Sequence, residues 1–308
     1  MSSTAPLHRI FSFGTLLDPA VQRHVFGREI PVATDRLLGH RFVEVPIDDP
    51  AVVAASGLAV HRGLARADGG SVPGGVLTVD DAELSAADAY EVAAYSRRRV
   101  STVGHGTVWA YVDANPLDAA ERIGVVGDSI AYGRCDAPYG WAQLLGASHV
   151  APDEARRRFF NLAIPGATAA DLARFATRET ADRRCDTVLI ACGINDLLHG
   201  TGTVAETAAH IQNIAEGVEA HGARAVVVGP AWVDVGHAEP AFGRSVDDAV
   251  VRELDAMLTA WGTRTHRDVV SVHSVLAGHP GLLSDGVHPS REGHALLADR
   301  IRRARHVP

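Results

Sequence analysis

Five short apolar runs, each followed by a stretch of helical spacing, constrain the second part of this chain more than any other feature. The runs are residues 123–126, 159–164, 187–191, 225–228 and 269–272, and helical spacing follows over 139–145, 168–180, 204–221, 247–261 and 290–303. A strand that is apolar along its whole length must be buried on both faces. A strand–helix–strand repeat brings successive strands together in parallel. The expected architecture is therefore α/β, a parallel sheet covered by helices on both faces, with ligands at the carboxyl ends of the strands.

The polar residues at those strand ends carry the chemistry. Gly127, Asp128 and Ser129 close the first run, where Gly127 lets the backbone turn and a helix can begin at Ser129. A hydroxyl there stands beside N–H groups that carry the partial positive charge of a helix start, which suits an oxyanion. Gly166 follows the second run, and Cys192, Gly193, Asn195 and Asp196 follow the third. A base is supplied near the end of the chain, where Asp285 and His288 share one loop stiffened by Pro289 and the carboxylate can orient the imidazole. Each block alone has a plain structural explanation. Ser129 and Asn195 can cap helices, and His288 can bond to backbone. Asp128 and Asp196 read as braces of their turns, His294 as packing, and Cys192 as a small core residue.

In this order, Gly-Asp-Ser, Gly166, Gly-x-Asn-Asp and Asp-x-x-His-Pro resemble the SGNH (GDSL-type) hydrolase family over about residues 120–305. The resemblance implies a three-layer, flavodoxin-like parallel sheet. It also implies Ser129 as nucleophile, His288 as general base and then acid, and Asp285 as the group that orients His288. The oxyanion hole it implies is the N–H of Ser129, the N–H of Gly166 and the side-chain amide of Asn195.

The first part has a different pattern. Residues 8–13 alternate as a strand and run into Gly14-Thr15-Leu16-Leu17, after which Asp18-Pro19 can start a helix. Residues 36–45, 76–79, 99–103 and 107–112 read as strands, 81–95 as a helix, and the glycine-rich 68–70 and 73–75 as loops. The mix predicts a small α+β barrel-like unit. Phe13-Gly14-Thr15-Leu16, followed by Leu84, Asp88, Tyr90, Glu91, Tyr95 and Arg97, resembles the γ-glutamylcyclotransferase-like family over roughly residues 8–112. Phe13 stands where that family has tyrosine, and Val92 where a glycine often follows the glutamate. The resemblance implies that Phe13, Gly14, Thr15 and Leu16 cradle a glutamyl group and that Glu91 is a general base. The reaction it implies turns a γ-glutamyl amine into 5-oxoproline and a free amine. The alternative for Glu91 is a solvated carboxylate paired with Arg97 or Arg98, and the run Arg97-Arg98-Arg99 reads as a solvated strand edge.

Asn115-Pro116 marks the division, giving expected domains 1–115 and 120–308 of the 308 residues. The linker is short, so the two domains are expected to pack together. The chain contains no lysine, which excludes a phosphate-loop lysine, a Schiff base and a Ser-Lys dyad. A net charge of −8 argues against nucleic acid. Cys135, Cys185 and Cys192 form no Cys-x-x-Cys pair, and the scattered histidines have no tight ligand spacing, so no metal and no cofactor are expected. Residues 1–9 lack a leader pattern and no run spans a membrane, so the expected setting is cytoplasmic, with a small-molecule substrate and no membrane partner. Pocket shape is expected to be set by the loops 132–141 and 232–245. Both domains are read as enzymes, a serine ester hydrolase of preference for short acyl groups and a possible cyclotransferase. The alternative is one esterase or acyltransferase whose first domain only binds or assembles.

Overall fold

A computed structural model describes residues 6–46, 60–135, 139–243 and 246–304. The expectations for residues 1–9, 132–141, 232–245 and the end of 120–308 thus fall partly outside the described residues. The chain divides into two compact units, with the break between Ala119 and Ala120. Among the described residues no helix is long and apolar enough to cross a membrane.

The first unit is a closed barrel of strand order β1-β3-β2-β4-β5. Its strands are β1 (His8–Ser12), β2 (Val32–Pro46), β3 (Val60–Val79), β4 (Tyr95–Thr102) and β5 (Gly106–Asp113). Two helices accompany them, α1 (Pro19–Phe26) and α2 (Asp81–Tyr90). Alternation along the strands divides the apolar residues into two clusters. Phe11, Val76, Val108 and Ala110 belong to a cluster made of strand residues and fill the barrel. Their neighbours Ile10, Leu77, Trp109 and Tyr111 face the other way and pack with Leu84 and Ala87 of α2 and with Val21 and Val25 of α1.

Three expectations need correction here. Residues 73–75 are strand rather than loop, because β3 pairs there with β2 and, at Gly75, with β1; residues 68–70 also lie within β3, but at the register break between Leu38↔Ser71 and His40↔Arg66. Strand pairing overrides the turn propensity of Gly74 and Gly75, while the glycines at 69 and 70 accommodate the irregularity. The helix stops at Tyr90, not 95, because Tyr95 pairs with Asp113 as the first residue of β4. The arginine run is solvated only in part. Residues 97–99 pair with β5 alone, since β4 meets β2 only at Leu37↔Thr102, and Arg99 is exposed, but Arg98 is buried and Arg97 pairs with Asp88 and stacks on Trp109.

The second unit holds a five-stranded sheet of order β10-β9-β8-β6-β7 in which every pairing is parallel. Its strands are β6 (Arg122–Gly127), β7 (Arg158–Asn161), β8 (Thr187–Ala191), β9 (Arg224–Val228) and β10 (Asp268–Val270). Val125, Val126, Val188, Leu189 and Ile190 are fully buried, as strands covered on both faces require. The helices are α3 (Ser129–Tyr132), α4 (Trp141–Val150), α5 (Ala169–Ala173), α6 (Ala176–Asp182), α7 (Ile194–His199), α8 (Val204–Ala220), α9 (Val235–Phe242), α10 (Asp248–Thr265), α11 (His273–Leu276) and α12 (Arg291–Arg302). Helix α12 packs on α4, while α5, α6 and α10 pack on α8, so the helices fall into two sets. The expected helix 168–180 is two helices, broken at Phe175, whose backbone leaves the helical region.

Candidate active sites

In the second unit the carboxyl end of β6 leads directly into α3. Gly127 is needed for close approach: a Cβ there would lie 2.5 Å from the Ala191 carbonyl oxygen of β8. Asp128 caps α3 by accepting the Ile130 N–H at 2.9 Å. Ser129 is the first residue of that helix, so its N–H has no acceptor within the helix.

His288 and Asp285, more than 150 residues away in sequence, meet Ser129. Ser129 Oγ lies 2.8 Å from His288 Nε2, and His288 Nδ1 lies 2.7 Å from Asp285 Oδ2. Asp285 Oδ1 accepts the backbone N–H groups of Val287 at 3.1 Å and His288 at 2.8 Å. Burial pushes the Asp285 carboxyl up, but these bonds and His288 outweigh it and leave it below the ordinary range. The carboxylate therefore accepts the Nδ1 proton, which leaves Nε2 as the acceptor for the serine hydroxyl. Burial lowers the pKa of His288 and Asp285 only partly restores it, so the imidazole is neutral above mildly acidic pH.

Gly166 and Asn195 stand at the next two strand ends. Gly166 has φ +82°, a left-handed conformation that any side chain would strain. Asn195 is buried at the start of α7 and donates from Nδ2 to the Ala167 carbonyl at 2.9 Å, one residue beyond Gly166. An amide nitrogen has two protons, so one remains for another acceptor. Asp196 accepts the Ala169 N–H at 2.9 Å.

Both segments expected as pocket-shaping loops supply a neighbour of this site, but the second holds a helix at Val235–Phe242 rather than loop alone, and neither contact is signalled by the sequence. Helix α9 lies against the Asp285–His288 loop: the Asp234 N–H donates to the Gly286 carbonyl at 2.8 Å, and the Phe242 ring meets His288 edge-on at 5.8 Å. Gly236 and Pro240 hide this helix in the sequence. The Cys135 thiol lies 3.6 Å from Asp285 Oδ2, a contact that sequence spacing gives no signal for.

In the first unit Glu91 follows α2 as its C-cap, with extended backbone. Burial alone raises its pKa to about 7. The neighbouring arginines are engaged elsewhere, Arg97 with Asp88 and Arg98 with the Arg97 carbonyl. The charge of Glu91 is felt by Tyr95 and Tyr111, which pack in the same cluster as Leu16. Tyr90, its chain neighbour, donates to Thr15 Oγ1 at 3.2 Å. Gly14 and Thr15 are exposed in the turn after β1, and Phe13 packs at 5.9 Å on Phe42. The carboxylate and the Phe13–Leu16 turn thus occupy one neighbourhood, with the Phe13 ring directed into the other cluster.

Residues 125–296, more than half of the chain, match the model of the GDSL-like lipase/acylhydrolase family. The chain belongs to this family. Residues 10–128 match a second model, gamma-glutamyl cyclotransferase, AIG2-like. A search of curated proteins found no significant match. Among solved structures, the lipase/acylhydrolase from Enterococcus faecalis is 23% identical, with a TM-score of 0.51 over 59% of this chain and 94% of that one. A variant of an acetyl-xylooligosaccharide esterase from Geobacillus Stearmophilus is 19% identical, with a TM-score of 0.50 over 60% of this chain and 93% of that one. An acetyl xylan esterase is 16% identical, with a TM-score of 0.50 over 58% and 97%. These likenesses carry the fold of the GDSL-like unit and extend over most of each neighbour's length.

Proposed function

We propose that the GDSL-like unit hydrolyses esters through a serine nucleophile. The observation that carries this is the continuous Ser129–His288–Asp285 hydrogen-bond chain at 2.8 and 2.7 Å. His288 Nε2 takes the Ser129 proton as Oγ attacks the acyl carbon. The N–H groups of Ser129 and Gly166 and the second Nδ2 proton of Asn195 receive the oxyanion. His288 then gives its proton to the departing alcohol, and water repeats the sequence on the acyl-enzyme. The acyl group is read as short, because no long apolar lid is evident in the sequence around these blocks. The acetyl-ester names of two fold neighbours point the same way without weight of their own. We read the sheet as the doubly wound, flavodoxin-like, three-layer type, domains as 1–115 and 120–308, and the setting as cytoplasmic.

A second activity is favoured by the position of Glu91 beside the Phe13–Leu16 turn, where Tyr90 reaches Thr15, burial raises the carboxyl to about 7, and no ion pair engages it among the described residues. In this reading Glu91 accepts a proton from the α-ammonium of a γ-glutamyl amine. The freed amine attacks the γ-carbonyl, Glu91 returns its proton to the old amide nitrogen as that C–N bond breaks, and Glu91 then takes the proton left on the ring nitrogen, which the departing amine carries away as ammonium, leaving 5-oxoproline. The Phe13–Leu16 turn holds the glutamyl group.

Fluorophosphonate labelling tests the first reading, followed by a panel of short and long acyl esters. Labelling of the wild type and its loss, together with ester cleavage, in Ser129→Ala are expected. Full esterase activity in Ser129→Ala overturns the nucleophile.

A further inference from the structure

Cys135, Asp285 and His288 place a thiol, a carboxylate and an imidazole so that their donor atoms all lie within 4.8 Å of one another. The chain reaches this arrangement through the serine's own turn. Gly133 caps α3, and the Arg134 N–H donates to the Ser129 carbonyl at 3.0 Å, which delivers Cys135 beside the Asp285–His288 loop. Cys135 is exposed, and the Asp285 side chain is 22% exposed, so the position is open to solvent. A tetrahedral zinc site with one sulfur, one oxygen and one nitrogen ligand places its donors about 3.4–3.6 Å apart. The Cys135 Sγ–Asp285 Oδ2 distance of 3.6 Å already meets that spacing. The Asp285 Oδ2–His288 Nδ1 distance of 2.7 Å must open by less than an ångström.

We propose that Cys135, Asp285 and His288 form a binding site for a borderline-soft divalent cation of the zinc type, and that occupancy switches the hydrolase off. Sulfur, imidazole nitrogen and carboxylate oxygen together favour zinc over the hard cations magnesium and calcium. Binding releases the thiol proton. The Nδ1 proton of His288 moves to Nε2, so the metal takes Nδ1 as its ligand. Nε2 then faces Ser129 as a donor and cannot receive the hydroxyl proton. The exclusion of a metal from sequence spacing does not reach this site, because its ligands come from loops about 150 positions apart.

The cation site itself does not depend on Ser129 being the nucleophile; only its effect on turnover does. The test therefore uses two readouts on the full chain. Cobalt(II) titration reports thiolate ligation by its charge-transfer absorption. A saturable band is expected in the wild type and in Ser129→Ala, displaced by zinc and absent in Cys135→Ala. Cys185 and Cys192 are buried and should give no such band. Cys135→Ser, closer in size, serves if the alanine variant does not fold. In the second readout, zinc inhibits ester cleavage and a chelator restores it. Loss of a direct ligand should raise the inhibitory zinc concentration at least as much as loss of an outer partner, about tenfold or more. Each variant is compared with its own metal-free rate. Absence of the cobalt band, an equal band in Cys135→Ala, or an unchanged inhibitory concentration overturns the site. Retained cleavage by Ser129→Ala would overturn the nucleophile instead, with the cobalt band still deciding the site.

Discussion

Asp285→Asn isolates the orienting carboxylate from the folding of its loop. Asp285 Oδ1 is held by two backbone N–H groups, and Oδ2 receives the His288 Nδ1 proton. Asparagine has one oxygen for these two duties. Turning its NH2 toward the backbone would set donor against two donors, so the oxygen must take the Oδ1 position. The NH2 then faces Nδ1 and forces the proton of His288 onto Nε2, opposite Ser129. In that tautomer the imidazole cannot accept the hydroxyl proton. The expected loss is about 10⁴ in kcat, the scale on which a serine triad fails in the wrong tautomer, equivalent to about 5 kcal/mol of barrier. The backbone bonds survive, so the melting temperature should move little. Steady-state hydrolysis of a short-chain ester, fluorophosphonate labelling rate and thermal melting on one preparation give the three readouts. A kcat within tenfold of wild type at unchanged stability would refute the orienting role. A large loss of melting temperature would show that asparagine failed to hold the loop.

Three further outcomes follow from the same electrostatics. Ester hydrolysis should rise with pH through a midpoint below the ordinary histidine value of about 6.5, because buried His288 must be neutral to act and its pKa is lowered; a midpoint above 7 counts against it. Release of 5-oxoproline from a γ-glutamyl amine should rise through about pH 7, where Glu91 loses its proton, and Glu91→Gln should reduce it by about 10²–10⁴, the usual contribution of a general base; equal rates in both proteins end the catalytic reading. Asp128 is raised to about 7 by burial, so its unfolded form ionises first and its contribution to stability falls as pH rises from about 4 to about 7 and is constant above that. Asp128→Asn should melt higher than wild type at pH 8, by an effect worth at most about 4 kcal/mol, and the difference should vanish near pH 4; a constant difference at both pH values refutes the assignment.

The readable parts of this chain are those in which one local pattern meets one tertiary demand. The strand over Thr187–Ala191 is apolar because both its faces are covered, and its bounds follow from the sequence alone. Ser129, Asp285 and His288 are legible because a parallel sheet collects its loops at one end. Legibility fails where tertiary pairing competes with local preference. Gly74 and Gly75 signal a turn, yet the neighbouring strands β1 and β2 keep them extended. Helical spacing continues past Tyr90, yet pairing with β5 claims Tyr95. Helix α9 contains Pro240, and its place against the Asp285–His288 loop depends on a backbone bond from Asp234 to Gly286 that no side-chain pattern records. Cys135 gains its setting from a turn of α3 and a loop 150 residues later, a relation with no sequence period.

The two acids beside the serine explain why the donor groups stay in place before any substrate arrives. Asp128 accepts the Ile130 N–H and so fixes the helix start that carries the Ser129 N–H. Asn195 holds the Ala167 carbonyl and Asp196 holds the Ala169 N–H. Adjacent residues on α7 therefore grip both sides of the segment that follows Gly166. The Gly166 and Asn195 donors are thus tied to each other through short hydrogen bonds, while the Ser129 N–H is fixed by its own helix start. Donors fixed in advance need no reorganisation when charge develops, and that is the condition under which they lower a barrier. The arrangement has a cost in the ground state. Burial raises both carboxyls, and the charge of Asp196 raises Asp128 further, to about 7. An asparagine in place of Asp128 would relieve that cost there, since its amide oxygen can still accept the Ile130 N–H. Asp196 differs, because both its oxygens face the Ala169 N–H, at 3.2 and 2.9 Å, and an amide there would keep only one of the two acceptors.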